Sequence, residues 1–310
     1  MFFSLVLILG CGSSQPEVQK QTRFLMDTYV TIQIPGGTEK IQIIEHAMNR
    51  IEAVDHKFNI LEEGSELYQF NNGSGPVRDP EVLKLIRTAL EIGEKTGGAF
   101  DITIYPLIKK WGFFSDNPSV PDSLTISRLL PHVGLDHLKW APDRLVKDDP
   151  LTQIDLGGIA KGYAVGEAMR VIQSAGIQSA LIDAGGDIYA LGKLKGNDWK
   201  IGIRNPRGEG IIGTFDISDL AVVTSGDYER FFEQDGVRYH HILNPATGYP
   251  ARGLASVTVI TKDPAIADAL STAIFVMGQE KGLKFLETTG MAEAVIVTDD
   301  NQMFTTKGLR

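Results

Sequence analysis

From residue 22 to 34 the apolar side chains Val30, Ile32 and Ile34 alternate with Tyr29, Thr31 and Gln33, the period of a strand with one buried face, and Pro35-Gly36-Gly37 ends the run. The period then lengthens. Ile41, Ile44, Met48, Ile51, Val54 and Phe58 recur at helical spacing, predicting an amphipathic helix over 39–58. A second helix is predicted over 79–96, where Asp79-Pro80-Glu81 supplies a cap, a first-turn proline and an acid at the positive dipole end, and Gly97-Gly98 stops it. Residues 115–150, rich in Pro, Asp and Ser, read as an irregular connector with a short helix over 124–130. Beyond them the pattern predicts a helix over 161–175, a strand over 180–191 interrupted by Gly185-Gly186, and a strand over 199–204. A hairpin of 211–218 with 220–224 follows, then strands over 238–243 and 255–261, helices over 264–277 and 281–288, and a closing hairpin of 292–298 with 302–305. Strands come in runs rather than in regular βαβ units, which favours an α+β fold over a doubly wound sheet.

Composition narrows the class only modestly. With 310 residues, 43% of them hydrophobic, the chain can bury one large core or two lobes sharing a cleft. A net charge of -9 and no basic run longer than Lys109-Lys110 argue against a nucleic-acid partner. The single cysteine, Cys11, forms no internal disulfide and builds no thiolate metal site. It follows the apolar run Phe2 to Leu9 and precedes Gly12-Ser13-Ser14, a pattern like a lipoprotein signal in which the cysteine is acylated. No basic residue follows Met1, and Leu9 stands where a smaller residue is usual. The run is too short to span a bilayer. The expected organisation is a signal peptide over 1–10, a polar tether over 11–21 with Cys11 lipidated, and one domain over 22–310, on the extracytoplasmic face of a membrane. A plain cleaved signal or a buried N-terminal strand is the alternative.

Five segments carry candidate chemistry. In Asp155-Leu156-Gly157-Gly158-Ile159-Ala160-Lys161-Gly162, the glycines permit close approach of a ligand, a helix N-terminus behind them offers free N–H groups to a phosphate, and Lys161 adds a charge. The same residues also read as a helix-entry turn whose aspartate is a cap. Asp268 and Thr272 stand four apart on a predicted helix and share a face; their hard oxygens suit Mg²⁺, although a capping or exposed pair would look the same. His240-His241 precede the turn at Pro245 to Gly248, where a histidine of near-neutral pKa serves either as a general base or as a satisfied turn residue. Asp183, Asp187 and Asp227 lie beside glycines, where they contact a ligand or complete turns.

Taken in order, DLGGIAKG, DAGGDI (183–188), TSGDYER (224–230), HHILNPATGYP (240–250) and ADALSTA (267–273) resemble the ApbE family of FAD:protein FMN transferases. Met26-Asp27-Thr28-Tyr29 is similar to that family's early M-G-T segment, with Asp27 in place of glycine; Ser65-Glu66-Leu67 with Asn71, and Gly97 through Phe113, extend the likeness from about residue 22 to the end. Asn244 stands where many members carry aspartate. The resemblance implies a T-fold-related α+β architecture with largely antiparallel sheets flanked by helices and an active site in a cleft between lobes. It also implies Mg²⁺ held by Asp268, Thr272 and the carbonyl of Ala160, and His241 as the catalytic base, with Tyr239 two before it. Tyr29, Asp155, Gly157, Gly158, Lys161, Gly185, Gly186, Asp187, Ser225 and Gly226 would lie near the flavin nucleotide.

The implied reaction cleaves FAD, the substrate, and attaches FMN through a phosphoester to a Thr or Ser of a target protein, releasing AMP. Family analogy points to extracytoplasmic subunits of Na⁺-translocating quinone reductases or Rnf-type complexes as acceptors, with the lipid anchor keeping the enzyme beside them. Mg²⁺-dependent hydrolysis of FAD to FMN and AMP uses the same residues with water as nucleophile. A flavin-storing lipoprotein would have no need of His241, Asp268 and Thr272 together, and a solute-binding lipoprotein would more often show two doubly wound lobes.

Overall fold

The first two strands form a hairpin rather than one element. In this computed structural model, which describes residues 17–309, β1 (Val18–Leu25) and β2 (Thr28–Pro35) pair antiparallel from Val18↔Pro35 to Leu25↔Thr28. Met26 and Asp27 make the two-residue turn, both at positive φ (52° and 58°), the combination that matches hairpin twist. This corrects the single strand expected over 22–34, because no glycine or proline marks the reversal. It also explains why glycine suits position 27: Asp27 is one of the few side chains that tolerate a left-handed φ. β1 takes in residues 18–21, which the sequence reading left in the tether. Cys11 and the signal segment over 1–10 lie outside the described residues.

Helices follow. α1 (Ile41–Phe58) buries Ile44, Ala47, Met48, Ile51, Val54 and Phe58 as one stripe. α2 (Glu66–Asn71) is capped by Ser65, whose Oγ accepts from Tyr68 N at 3.0 Å. α3 (Pro80–Lys95) opens on Asp79, which accepts from the N–H groups of Glu81 and Val82 as expected. α4 (Tyr105–Trp111) ends on Gly112 in the left-handed region. The stretch over 115–150, expected to be largely irregular, holds α5 (Ser123–Leu129), capped by Asp122, and a small hairpin of β3 (Leu138–Ala141) with β4 (Arg144–Lys147). Four-residue strands are too short for their alternation to register in the pattern.

α6 (Gly157–Ser174) starts at the first glycine of the DLGGIAKG segment, four residues before the expected Lys161, so the glycines form its first turn. β5 (Ala180–Ala184) and β6 (Asp187–Leu191) turn through Gly185-Gly186. β7 (Trp199–Arg204) pairs with β8 (Ile211–Ile217), whereas β9 (Leu220–Gly226) pairs elsewhere. The expected hairpin of 211–218 with 220–224 is therefore not formed: consecutive strands go to different sheets. β10 (Phe231–Gln234) and β11 (Val237–His240) make a hairpin ahead of β12 (Leu254–Thr261), α7 (Pro264–Met277) and α8 (Gln279–Thr289). β13 (Glu293–Thr298) and β14 (Met303–Thr305) close the chain as expected.

The main sheet has eight strands in the order β1-β2-β5-β6-β9-β12-β13-β14, every pair antiparallel. On one face, Val30, Ile32, Ile182, Val223, Val257 and Val259 share a core with α1, α6 and α7. The other face is covered by β7–β8 through Trp199, Ile201 and Ile217 against Leu181, Val222 and Ile260. The mixed, mostly antiparallel α+β architecture is the expected one.

Candidate functional site

Small residues bring α6 and α7 together. Gly158, Gly162 and Gly166 recur every four residues on α6, one face of the helix. A Cβ on Gly162 would lie 2.1 Å from the carbonyl oxygen of Pro264 and 2.8 Å from Asp268 Cβ; one on Gly158 would lie 3.5 Å from Thr272 Oγ1. Only glycine allows that approach at 162. As a result Asp268 Oδ2 accepts from Gly162 N at 2.9 Å. Ala160 is buried in the first turn of α6, between the glycine facing Thr272 and the one facing Asp268. Thr272 is half-buried, its Oγ1 3.3 Å from Ser225 Oγ, which in turn is 2.7 Å from Ser271 Oγ.

Charge accumulates at this seam. Lys161 Nζ stands 2.5 Å from Asp187 Oδ1, and Asp187 is fully buried with, among the described residues, no hydrogen-bond partner beyond that ion pair. Burial, and next to it the Asp187 carboxylate, push the Asp268 carboxyl up to about 7 against the pull of Lys161 and Gly162 N–H. Burial likewise raises Asp187, with Lys161 opposing. Burial lowers the Lys161 ammonium, but Asp187 and Asp268 outweigh it and the net shift is upward. Two buried carboxylates share one cation, an arrangement that favours a second positive charge. The donors, a carboxylate and the hydroxyl of Thr272, are hard oxygens that fit Mg²⁺. Among the described residues no group of three or more His, Cys, Asp or Glu is arranged to hold a metal. A cation here would therefore take few protein ligands and complete its shell from substrate oxygens, as Mg²⁺ does.

The two neighbouring histidines have different environments. His240 is buried; its Nε2–H donates to Ala251 O at 2.8 Å, its Nδ1 accepts from Ile242 N at 3.3 Å, and its ring meets Phe275 edge-on. Both nitrogens are used by a neutral ring, and burial lowers its pKa to about 4. His241 is half-buried, with Nδ1 donating to Arg230 O at 3.2 Å, which leaves the Nε2 lone pair available to take a proton. Burial lowers its pKa to about 4 as well, the Arg230 carbonyl opposing. The loop beyond is pinned from below. Trp111, fully buried, donates from Nε1 to Gly248 O at 2.8 Å, and a Cβ on Gly248 would lie 2.7 Å from Ile126 Cγ2.

Other predicted residues are spread around this centre. Asp155 Oδ1 accepts from Gly157 N at 2.8 Å, so the helix-entry alternative describes its contact, and burial raises its pKa. Gly185 packs on Thr28, where a Cβ would lie 2.1 Å from Oγ1, and Gly186 N donates to Asp183 Oδ1 at 3.0 Å, so Asp183 completes a turn. Gly226 ends β9 one residue past Ser225. Tyr29 is 70% exposed and meets Phe24 edge-on on the outer face of the hairpin. Asp227 forms a bidentate pair with Arg207 (2.8 and 2.6 Å) and lines a cavity of about 350 Å³ whose walls include none of Lys161, Asp187, Asp268 or His241. Sequence reasoning had Gly162 only as one glycine of its segment and not as a packing contact of α7, and it missed Ser271 and Glu229, whose carboxyl is raised by burial, with Lys161 opposing. It also missed residue 230, whose main-chain carbonyl accepts from His241 Nδ1, while the Arg230 guanidinium stands 3.5 Å from Asp27 Oδ2 and covers the Phe114 ring. The small-residue stripe at 158, 162 and 166 was the one signal available for Gly162.

A profile of the ApbE family matches residues 26–296. The chain is 33% identical over 309 residues to a FAD:protein FMN transferase of Vibrio cholerae, covering 96% of this chain and 92% of that protein. It is 37% identical over 257 residues to a FAD:protein FMN transferase of Treponema pallidum, covering 76% and 71%. The crystal structure of the ApbE protein of Thermotoga maritima superposes with a TM-score of 0.89 at 36% identity, over 94% of this chain and 98% of that one.

Proposed function

Because the chain belongs to the ApbE family, we propose that it is a flavin transferase that moves the FMN half of FAD onto a Thr or Ser hydroxyl of a target protein and releases AMP. The observation that carries this reading is the pair of buried carboxylates, Asp187 and Asp268, sharing the single ammonium of Lys161 at the α6–α7 seam. Asp268 and Thr272, with the carbonyl of Ala160, are the residues that would hold Mg²⁺, which when bound would neutralise charge on the pyrophosphate. His241 Nε2 takes the proton of the acceptor hydroxyl as that oxygen bonds to the FMN phosphorus and the bridging oxygen leaves with AMP. The main-chain carbonyl of Arg230 holds the ring in the tautomer this needs. Lys161 orients the pyrophosphate as a point charge, and Ser225 fixes the Thr272 hydroxyl. Gly186, beside which a Cβ would meet nothing within 4 Å, lets the nucleotide approach backbone, Gly157 and Gly158 open the α6 N-terminus, Gly185 shapes the turn on Thr28, and the exposed Tyr29 offers its ring to the flavin.

We further propose that Cys11 is lipidated and anchors the chain at an extracytoplasmic membrane face, near acceptors of the quinone-reductase or Rnf type. No helix of the described residues is long and apolar enough to cross a membrane. The test is mass spectrometry of an extracytoplasmic acceptor domain incubated with the protein, FAD and Mg²⁺, beside His241→Ala. An FMN increment that needs both Mg²⁺ and His241 supports transfer; free FMN with stoichiometric AMP and an unmodified acceptor would replace transfer by hydrolysis.

A further inference from the structure

A groove of about 580 Å³ lies between the Gly97–Ala99 turn, the loop from Asn244 to Ala246, the last turn of α7 and the face of α8. Val276, Met277 and Phe285 line it, and Lys95, Lys281 and Lys284 stand in its walls. All three lysines are exposed, and none has a carboxylate within ion-pairing distance among the described residues. No acid stands among the residues that line the groove. Lys281 sits in the first turn of α8, at the positive end of the helix dipole, and Lys284 is its like-charged neighbour three residues on, with Glu280 in the same turn four residues before Lys284. Three lysines around an apolar floor, with no acid in the lining, are suited to a ligand that brings its own negative charge.

The groove shares elements with the transfer site, although its walls include none of Lys161, Asp187, Asp268, Thr272 or His241. Asp268, Thr272 and Val276 recur every four residues on α7, so Val276 lies one helical turn beyond Thr272 on the same face. Asn244 is three residues past His241, and Phe100, next to Ala99, packs 3.1 Å from where a Gly158 Cβ would stand. The anionic part of FAD is its pyrophosphate, which has to reach Lys161 and Asp268 to be cleaved. The groove lysines therefore face a different anion.

Resting on the transferase reading, we propose that this groove docks the acceptor protein, binding an acidic, extended segment beside the hydroxyl to be modified. Lys95, Lys281 and Lys284 pair with its carboxylates, and Val276, Met277 and Phe285 cover an apolar side chain between them. The experiment compares the full chain with the exposed charge reversals Lys281→Glu and Lys284→Glu, singly and together, in acceptor-domain flavinylation followed by mass spectrometry, with FAD binding measured in parallel. The expected result is an acceptor KM raised about tenfold or more in the double variant, with kcat at saturation and the Kd for FAD unchanged. An acceptor whose acids flanking the target hydroxyl are changed to lysine regains affinity for the double variant and loses it for the parent. An unchanged acceptor KM, or a weakened FAD Kd in its place, overturns the proposal, the second outcome assigning the groove to the nucleotide. An acceptor left unmodified by the parent protein overturns the transferase reading itself.

Discussion

His240 and His241 show how one residue's distance along a strand end separates structure from chemistry. His240 spends both ring nitrogens inside the protein, on Ala251 O and Ile242 N, while His241 spends one and keeps Nε2 free. His241→Ala is expected to lower the transfer kcat by about 10²–10⁴ while FAD affinity holds, measured by stopped-time mass spectrometry and FAD titration. His240→Ala is expected to lose stability, by about 2–3 kcal/mol in denaturant unfolding, since it removes a buried ring and strands the Ile242 amide and Ala251 carbonyl. The pH dependence has a definite sign. With a folded pKa of about 4 against an unfolded value near 6.5, the unfolded chain binds the extra proton first, so stability is full above about pH 6.5 and falls as pH drops toward 4. The loss from His240 amounts to about 3 kcal/mol at most, and urea midpoints between pH 7 and pH 4.5 check it. A difference in midpoint between the parent and His240→Ala that stays flat across that range would refute the buried neutral ring, the comparison cancelling the opposite contribution of Asp268, whose raised carboxyl costs stability as pH rises toward 7. From the sequence, both histidines were visible as a pair; which one keeps a free nitrogen depends on the neighbouring carbonyls, which no spacing encodes.

At the scale of elements, the α6–α7 seam is built from what α6 lacks. Gly162→Ala would drive a methyl into the Pro264 carbonyl, backbone that cannot step aside cheaply, so the helices must separate. A loss of about 2 kcal/mol or more in thermal unfolding is expected, together with weaker Mg²⁺ binding by titration calorimetry, because Asp268 loses its Gly162 partner. A second device ties α1, α3 and α6. Glu81 accepts from Lys57 Nζ at 2.7 Å and Tyr163 OH at 2.9 Å and is also held by Arg50. Burial pushes its carboxyl up, but these partners outweigh burial and lower it to about 2. It therefore stabilises the fold above about pH 4.5 and ceases to do so as pH falls toward 2. Helices with long amphipathic stripes and Asp caps, such as 41–58 and 80–95, were legible within a residue or two. The Met26-Asp27 reversal and the parting of β8 from β9 were not, because turn geometry without glycine and partner choice between sheets leave the local pattern unchanged.

Over the whole molecule, the eight-stranded sheet carries helices on one face and the β7–β8 hairpin on the other, and the candidate centre sits at the glycine seam between α6 and α7. Ligands that complete that seam should stabilise the entire fold. Mg²⁺ with FAD at about 100 times Kd is expected to raise Tm by about 5 °C, with EDTA reversing the metal's share and Asp268→Asn removing it, read by differential scanning calorimetry. The sequence by itself determined the α+β class, the helix stripes, the glycine-rich segments and the order of motifs that mark the family, because periodicity, caps and glycine punctuation are local properties of the chain. Only the tertiary structure decided that Lys161, Asp187 and Asp268 share one buried charge balance, that the main-chain carbonyl of Arg230 sets the His241 tautomer, and that three lysines from two helices surround one groove. Those relations join residues far apart in the chain, and their energies come from burial and mutual distance, which exist only once the sheet and its helices have packed.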